Sequence, residues 1–315
     1  MLPPKPQEES MNGHGLGERG SIAITLLAAL MLGSGYVVIK SGLGGIDPFL
    51  FSAVTVGIGG LIALGYTLSR GTFTWRIFTY WEAWAGMTVT FALLASQYVG
   101  LSMTKASIGG LIVGGNVIVV ALLSAFLFRE HLTRGKVAAL AMGLVGLFII
   151  TTKLDVGGLT EEQLIGDMLL VITSVCVALT IVLSKLALRR MTFDQFVLSL
   201  HLFTPLPLLA VYALFGHPTQ IQAVDLQYIL YIGIVCTAVP TLLYVKALES
   251  ISPVMSSAMT LTESTFAAVL GILVLNDQLD IFVVVGAALV FLSILLVTRR
   301  TTANDGNETQ STAEP

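Results

Sequence analysis

Of the nineteen acidic residues, Glu263 alone falls near the middle of a long apolar run. A charged group at mid-bilayer depth is unfavourable by roughly 2.5–3.5 kcal/mol on an insertion scale, so it must face other helices or a wet cavity. Two roles fit such a group: a substrate or proton site, or a hydrogen-bonded acid that locks helix packing. Helical spacing gathers further polar residues into stripes. Ser256, Thr260 and Glu263 stand at i, i+4 and i+7, and Thr237, Thr241 and Tyr244 repeat that spacing. Thr173, Cys176, Thr180 and Ser184 form another stripe, Thr90 and Gln97 are seven apart, and Tyr36 lies four before Lys40. One polar stripe per helix is what a cavity lining produces; interhelix hydrogen bonds, worth about 0.6 kcal/mol each, produce it too. His201, inside another apolar run, could change charge or pack as a neutral ring. The substrate-contacting set expected from these patterns is Tyr36, Gln97, Asn116, Thr180, His201, Thr241, Tyr244, Thr260 and Glu263, with Glu263 also coupling to protons. Lys40 and Lys185 stand near the ends of apolar runs, from which a lysine snorkels to the interface.

Covalent chemistry finds no footing. The chain has no HExxH, GxSxG, Walker A or CxxC sequence. Cys176 and Cys236 both sit in apolar stretches and read as small buried side chains rather than a disulfide or metal pair. No catalytic residue, metal or cofactor is expected. With no nucleotide-binding module, ATP-driven pumping by this chain is excluded.

The elements that must hold these residues follow from composition. Residues of the AVILMFWYC set make up 55% of the 315, with 31 glycines besides, and charged residues only 11%, against about 25% in an ordinary soluble domain. Mean hydropathy is +0.88. Such a chain cannot cover a water-facing surface, which excludes a soluble enzyme, a disordered chain and a nucleic-acid binder. Ten apolar segments are expected, at 21–42, 48–69, 80–100, 106–128, 134–152, 164–187, 193–215, 226–247, 254–275 and 281–298. Each should be a helix, because lipid leaves backbone groups no other partner. Short turns such as Asp47–Pro48, Gly157–Gly158 and His217–Pro218 separate them. Pro240 should kink the eighth helix. Gly110 and Gly114 form a GxxxG in the fourth, for close helix packing or for backbone approach to a substrate. Residues 1–20 and 300–315 read as disordered cytoplasmic tails, and the first of these is not expected to be a cleaved signal peptide.

With ten crossings and the N-terminus inside, only Lys40, Lys105 and Lys153 of the sixteen basic residues fall on the outer side. That is a strong positive-inside asymmetry. Both termini are then cytoplasmic, in an inner or plasma membrane. The two halves also resemble each other. Leu101, Ala121, Leu123, Leu132, Ala141 and Thr151 fall on Leu248, Ala268, Leu270, Leu279, Ala288 and Thr298, with Asn116 on Glu263 and Glu130 on Asp277. A slightly different shift sets Lys40 on Lys185. Two five-helix halves cross in opposite senses, a recurring plan of secondary transporters with a midplane site.

The run Gly33-Ser34-Gly35-Tyr36-Val37-Val38-Ile39-Lys40 resembles the first-helix signature of EamA-type carriers of the drug/metabolite transporter superfamily. Phe128-Arg129-Glu130-His131-Leu132 is similar to their fourth-to-fifth helix junction, and Leu261-Thr262-Glu263, Leu275-Asn276-Asp277-Gln278-Leu279 and Gly286-Ala287-Ala288 to the matching junction of the second half. The resemblance spans about residues 21–299. It implies an all-α integral membrane protein of ten helices, two inverted five-helix repeats (21–152 and 163–299), and a central cavity opening alternately to each side. It implies transport of small metabolites, often amino acids, frequently as export. Leu32, Thr55 and Ser264 depart from the Trp, Arg and Pro that the family often carries, and without that Arg an anionic substrate lacks a fixed cation. The expected partners are a small-molecule substrate and the lipid bilayer, with no nucleic acid, for a monomer or homodimer. Proton antiport and facilitated exchange both fit. The alternative is a membrane enzyme, channel or scaffold without carrier activity.

Overall fold

Asp47 and Pro48 show how the apolar runs are punctuated. The Asp47 carboxylate accepts from the backbone N–H groups of Phe49 (2.9 Å) and Leu50 (3.3 Å), and Pro48 fills a first-turn position where no N–H is needed. Its other oxygen accepts from the N–H of His217 at 3.0 Å, tying two turns of the same face together. The computed structural model describes residues 18–127, 134–152, 160–219, 221–251, 253, 256, 261–277, 281–293 and 296. Among them helices alternate with short turns and no strand occurs. In chain order they are α1 (Glu18–Gly42), α2 (Pro48–Ser69), α3 (Trp81–Met103), α4 (Ala106–Gly114), α5 (Asn116–Leu127), α6 (Arg134–Thr152), α7 (Glu161–Ala187), α8 (Phe193–His201), α9 (Pro205–Phe215), α10 (Ala223–Leu230), α11 (Val239–Ala247), α12 (Leu261–Leu275) and α13 (Ile281–Ser293). The tails, the 128–133 and 153–159 junctions and Thr260 lie outside the described residues.

Among the described residues, six stretches are long and apolar enough to cross a bilayer: Arg19–Gly42, Pro48–Ser69, Ala106–Leu123, Glu161–Ala187, Phe193–Phe215 and Ala223–Ala247. Shorter apolar helices run over Val137–Gly146, Thr262–Leu275 and Ile281–Ser293. Helix α3 has the length of a span, 23 residues, but carries Glu82, Gln97 and several hydroxyls. The protein is all-helical and crosses the membrane several times. Its polarity is arranged for lipid. Leu61, Phe126, Leu214 and Leu273 are more than two-thirds exposed, whereas Thr55, Thr67, Thr173 and Ser184 are buried. Each of those hydroxyls donates to a carbonyl one turn back, at 2.6–3.0 Å.

Three of the long stretches are broken midway, each for a readable reason. Pro205 has no N–H for the His201 carbonyl and crowds it, so α8 ends at His201 and α9 restarts at Pro205. Pro240 does the same to the Cys236 carbonyl. There the helix does not simply bend: Tyr231–Ala238 widens into π-helical turns between α10 and α11. The third break follows Gly114, at Gly115.

Small residues set the crossings. A Cβ on Gly100 would lie 3.0 Å from the Gly166 carbonyl, and one on Gly166 would lie 3.1 Å from that of Gly100, so α3 and α7 pack backbone to backbone. The GxxxG of α4 meets α12, Gly110 against Ala267 and Gly114 against Ser264, which is the close-packing reading of that motif. Helix α1 packs on α11, the π stretch and α12. At the end of α12, Asn276 takes a left-handed backbone (φ 55), which Asn tolerates. That turn delivers Asp277 to the start of α4, where its carboxylate accepts from Ser107 N (3.1 Å) and Ser107 Oγ (2.7 Å).

Candidate functional site

Gly33 lets α1 approach α12 so closely that a Cβ there would stand 2.6 Å from the Glu263 carbonyl. One turn further on, Tyr36 Oη donates to Glu263 Oε1 at 3.3 Å. Gln97 of α3 lies beside the same phenol. These three groups sit on the wall of a cavity of about 180 Å³ lined by α1, α3, α7, the end of α8, the π stretch, α11 and α12.

The far wall is assembled by the helix breaks. His201 sits at the α8–α9 break, buried, and its Nδ1 has no hydrogen-bond partner among the described residues. Thr90 Oγ1, also on the wall, is likewise unpartnered. Buried polar atoms left open at a cavity are satisfied by water or by what the cavity binds. The π stretch turns Cys236 and Thr237 to the same cavity as Thr241 and Tyr244 of α11. Cys236 Sγ donates to the Met31 carbonyl at 3.2 Å, and Gly35 leaves room for it. Tyr98 shares a 3.0 Å hydrogen bond with Thr55, the position where the resemblance would put Arg.

Glu263 is the one acid among the described lining residues, and none of them is Lys or Arg. The remaining wall is largely aliphatic, with Leu32, Ile39, Leu94, Val177 and Ile181. Such a site can hold a small molecule by an apolar body and a hydrogen-bond-donating head.

Seven of the nine expected residues meet at this cavity: Tyr36, Gln97, Thr180, His201, Thr241, Tyr244 and Glu263. Asn116 turns elsewhere. It opens α5, and its amide donates to the Val113 carbonyl at 2.9 Å, which also receives Ser174 Oγ at 3.2 Å. It therefore closes the α4–α5 break. Thr260 is outside the described residues. Within the α7 stripe, Thr180 and Ser184 face the cavity, while Thr173 pairs with Ser96 at 2.8 Å. Tyr98 and Cys236 were not expected. Tyr98 carried a usable signal, a second polar aromatic beside Gln97. Cys236 did not, because a small thiol in an apolar run reads as ordinary packing, and the register of the π stretch that carries it to the wall is not written in an α-helical spacing.

Residues 19–152 and 164–299 each match the EamA-like transporter family. An uncharacterized transporter of Clostridium kluyveri is 24% identical over 282 residues, covering 86% of this chain and 90% of that protein. The aromatic amino acid exporter YddG of Ancylobacter novellus is 29% identical over 133 residues, 42% of this chain and 46% of that protein. A solved crystal structure superposes with a TM-score of 0.69 at 20% identity, over 89% of this chain and 98% of its own. At that identity the likeness speaks for the fold.

Proposed function

The chain belongs to the EamA-like transporter family, and on that premise we propose that it is a secondary-active carrier, exporting a small polar metabolite such as an amino acid. The carrier crosses an inner or plasma membrane ten times, as inverted five-helix repeats with both termini in the cytoplasm. Its two repeats rock around the central cavity, exposing it to one side and then the other. The observation that carries this reading is Glu263, the one acid among the described lining residues, held by Tyr36 at 3.3 Å amid aliphatic side chains. Glu263 loads a proton from one side and releases it to the other, and Tyr36, Gln97, Thr180, His201, Thr241 and Tyr244 contact the cargo. The absence of a basic side chain among the described lining residues disfavours a purely anionic cargo. The partial likeness to a protein named as an aromatic amino acid exporter supports an amino acid with an apolar side chain. Two family matches in one chain, and the packing of α4, in the fourth apolar segment, against α12, in the ninth segment that the repeat sets on the fourth, support the duplicated plan.

A thermal-shift screen against amino acids, cations and nucleosides should select the cargo, followed by labelled exchange in proteoliposomes. Saturable exchange is expected, and its absence across the panel sinks the carrier reading. With a pH gradient imposed, Glu263→Gln should abolish proton-driven transport while inserting normally. Transport that ignores pH in the parent protein removes the coupling role.

A further inference from the structure

Lys40 and Lys185 take no part in the cavity wall, yet they make matched contacts. Lys40, in the last turn of α1, donates to the carbonyls of Leu101 (2.8 Å) and Ser102 (3.1 Å) at the end of α3. Lys185, in the last turn of α7, donates to the carbonyls of Leu248 (2.6 Å) and Ile251 (3.1 Å) at the end of α11. Lys40 corresponds to Lys185 in the internal repeat, and Leu101 to Leu248. The chemistry is the same in both: a helix C-terminus leaves carbonyls without N–H partners and carries partial negative charge, and an ammonium satisfies both.

What these contacts join gives them their meaning. Helix α1 packs on α11 and the π stretch, and α3 packs along α7. The cavity therefore lies between two paired walls, with Tyr36, Cys236 and Thr241 on one and Gln97, Val177 and Thr180 on the other. Lys40 reaches across from the first wall to α3, and Lys185 reaches back from α7 to the first wall. The two crossings lie at opposite mouths. Gly100 near the end of α3 meets Gly166 near the start of α7, and Ser96 meets Thr173, so these helices are antiparallel. Lys185 then stands about 28 Å along α7 from Gly166, at ~1.5 Å per residue, close to the thickness of a bilayer's hydrocarbon core. Carboxylates lie within electrostatic reach of each lysine: Asp277, which also accepts from Ser107, and Glu162 for Lys40, and Glu249, itself paired with Lys246, for Lys185.

We propose that Lys40 and Lys185 are paired latches, one at each mouth of the central cavity, and that releasing one or the other decides which face the cavity opens to. Both contacts are made in this structure. The inference rests on the alternating-access reading and adds the residues that position the two walls.

Cys236 on the cavity wall supplies a reporter once Cys176→Ala removes the other thiol. In oriented vesicles a membrane-impermeant maleimide is applied from each face in turn. Lys40→Met should raise Cys236 labelling several-fold from the Lys40 face, and Lys185→Met from the opposite face. Lys40→Arg and Lys185→Arg, which keep the charged donor, should label like the parent. Gains on the same face, or no gain with either methionine variant in a correctly inserted protein, overturn the proposal. Should a methionine variant fail to insert, the matching Gln variant, which loses the charge, carries the same expected and overturning outcomes. Labelling needs no transport. Opposite-face gains in a protein that exchanges no cargo would therefore sink the carrier reading and uphold the latches.

Discussion

Glu263 owes its place to Gly33 and its orientation to Tyr36. The phenol donates to Oε1 at 3.3 Å, and the glycine admits α1 closely enough for that reach. Tyr36→Phe removes this donor to Glu263 and a polar group from the cavity wall. The KM of transport should rise several-fold while the protein inserts normally; an unchanged KM removes Tyr36 from the cargo contacts. Gly114 makes a different demand. A Cβ there would collide with the side chain of Ser264, and overpacking of this kind typically costs about 1–3 kcal/mol. Gly114→Ala should lower the melting temperature in detergent, and adding Ser264→Gly should recover most of the loss. A double variant no better than the single one would show that the strain lies elsewhere. Both positions carried signals in the linear chain, an acid in an apolar run and a GxxxG, because each is a local departure from what lipid favours.

Among the elements, the π stretch before α11 is what the apolar pattern could not announce. Pro240 marked the place of a distortion, and the tertiary environment chose its form, a widened helix that carries Cys236 and Thr237 to one wall. Pro in a helix interior is unfavourable by about 3 kcal/mol relative to Ala. Pro240→Ala should therefore leave thermal stability equal or higher. Relaxation toward regular α-helix should turn Cys236 from the cavity, lowering both its thiol labelling and transport several-fold. Retained transport with unchanged labelling would show that the π turns hold without the proline. Asn116 teaches the converse. Its spacing and bulk matched a cavity residue, but the α4–α5 break frees the Val113 carbonyl, and the amide closes that gap. A polar stripe reports that a helix face avoids lipid; it does not distinguish a cavity from a neighbour's backbone.

For the whole molecule, the proposed even number of crossings, taken with the positive-inside asymmetry, predicts both tails on one face. Single cysteines introduced in each tail should react with an impermeant reagent from the same side of oriented vesicles. Reaction from opposite sides would refute the even count and, with it, the inverted arrangement of repeats. The proposed inverted repeat would make Lys40 and Lys185 equivalent in sequence and opposite in space, so that one side-chain chemistry would serve both membrane faces.

Read alone, the chain of residues determined that this protein lives in lipid, that its segments are helices, where most of them start, and that Glu263 is its exceptional acid. Those features depend on local composition and on the bilayer's refusal of unpaired polar groups, so they need no knowledge of neighbours. Only the tertiary structure decided that α1 pairs with α11 and α3 with α7, that seven of the expected polar residues converge on one cavity, and that two lysines near helix ends reach across its mouths. The physical reason is that helical periodicity specifies which face of a helix is polar, whereas the partner of that face is set by close approach at Gly33, Gly100, Gly114 and Gly166, contacts made between residues far apart in sequence.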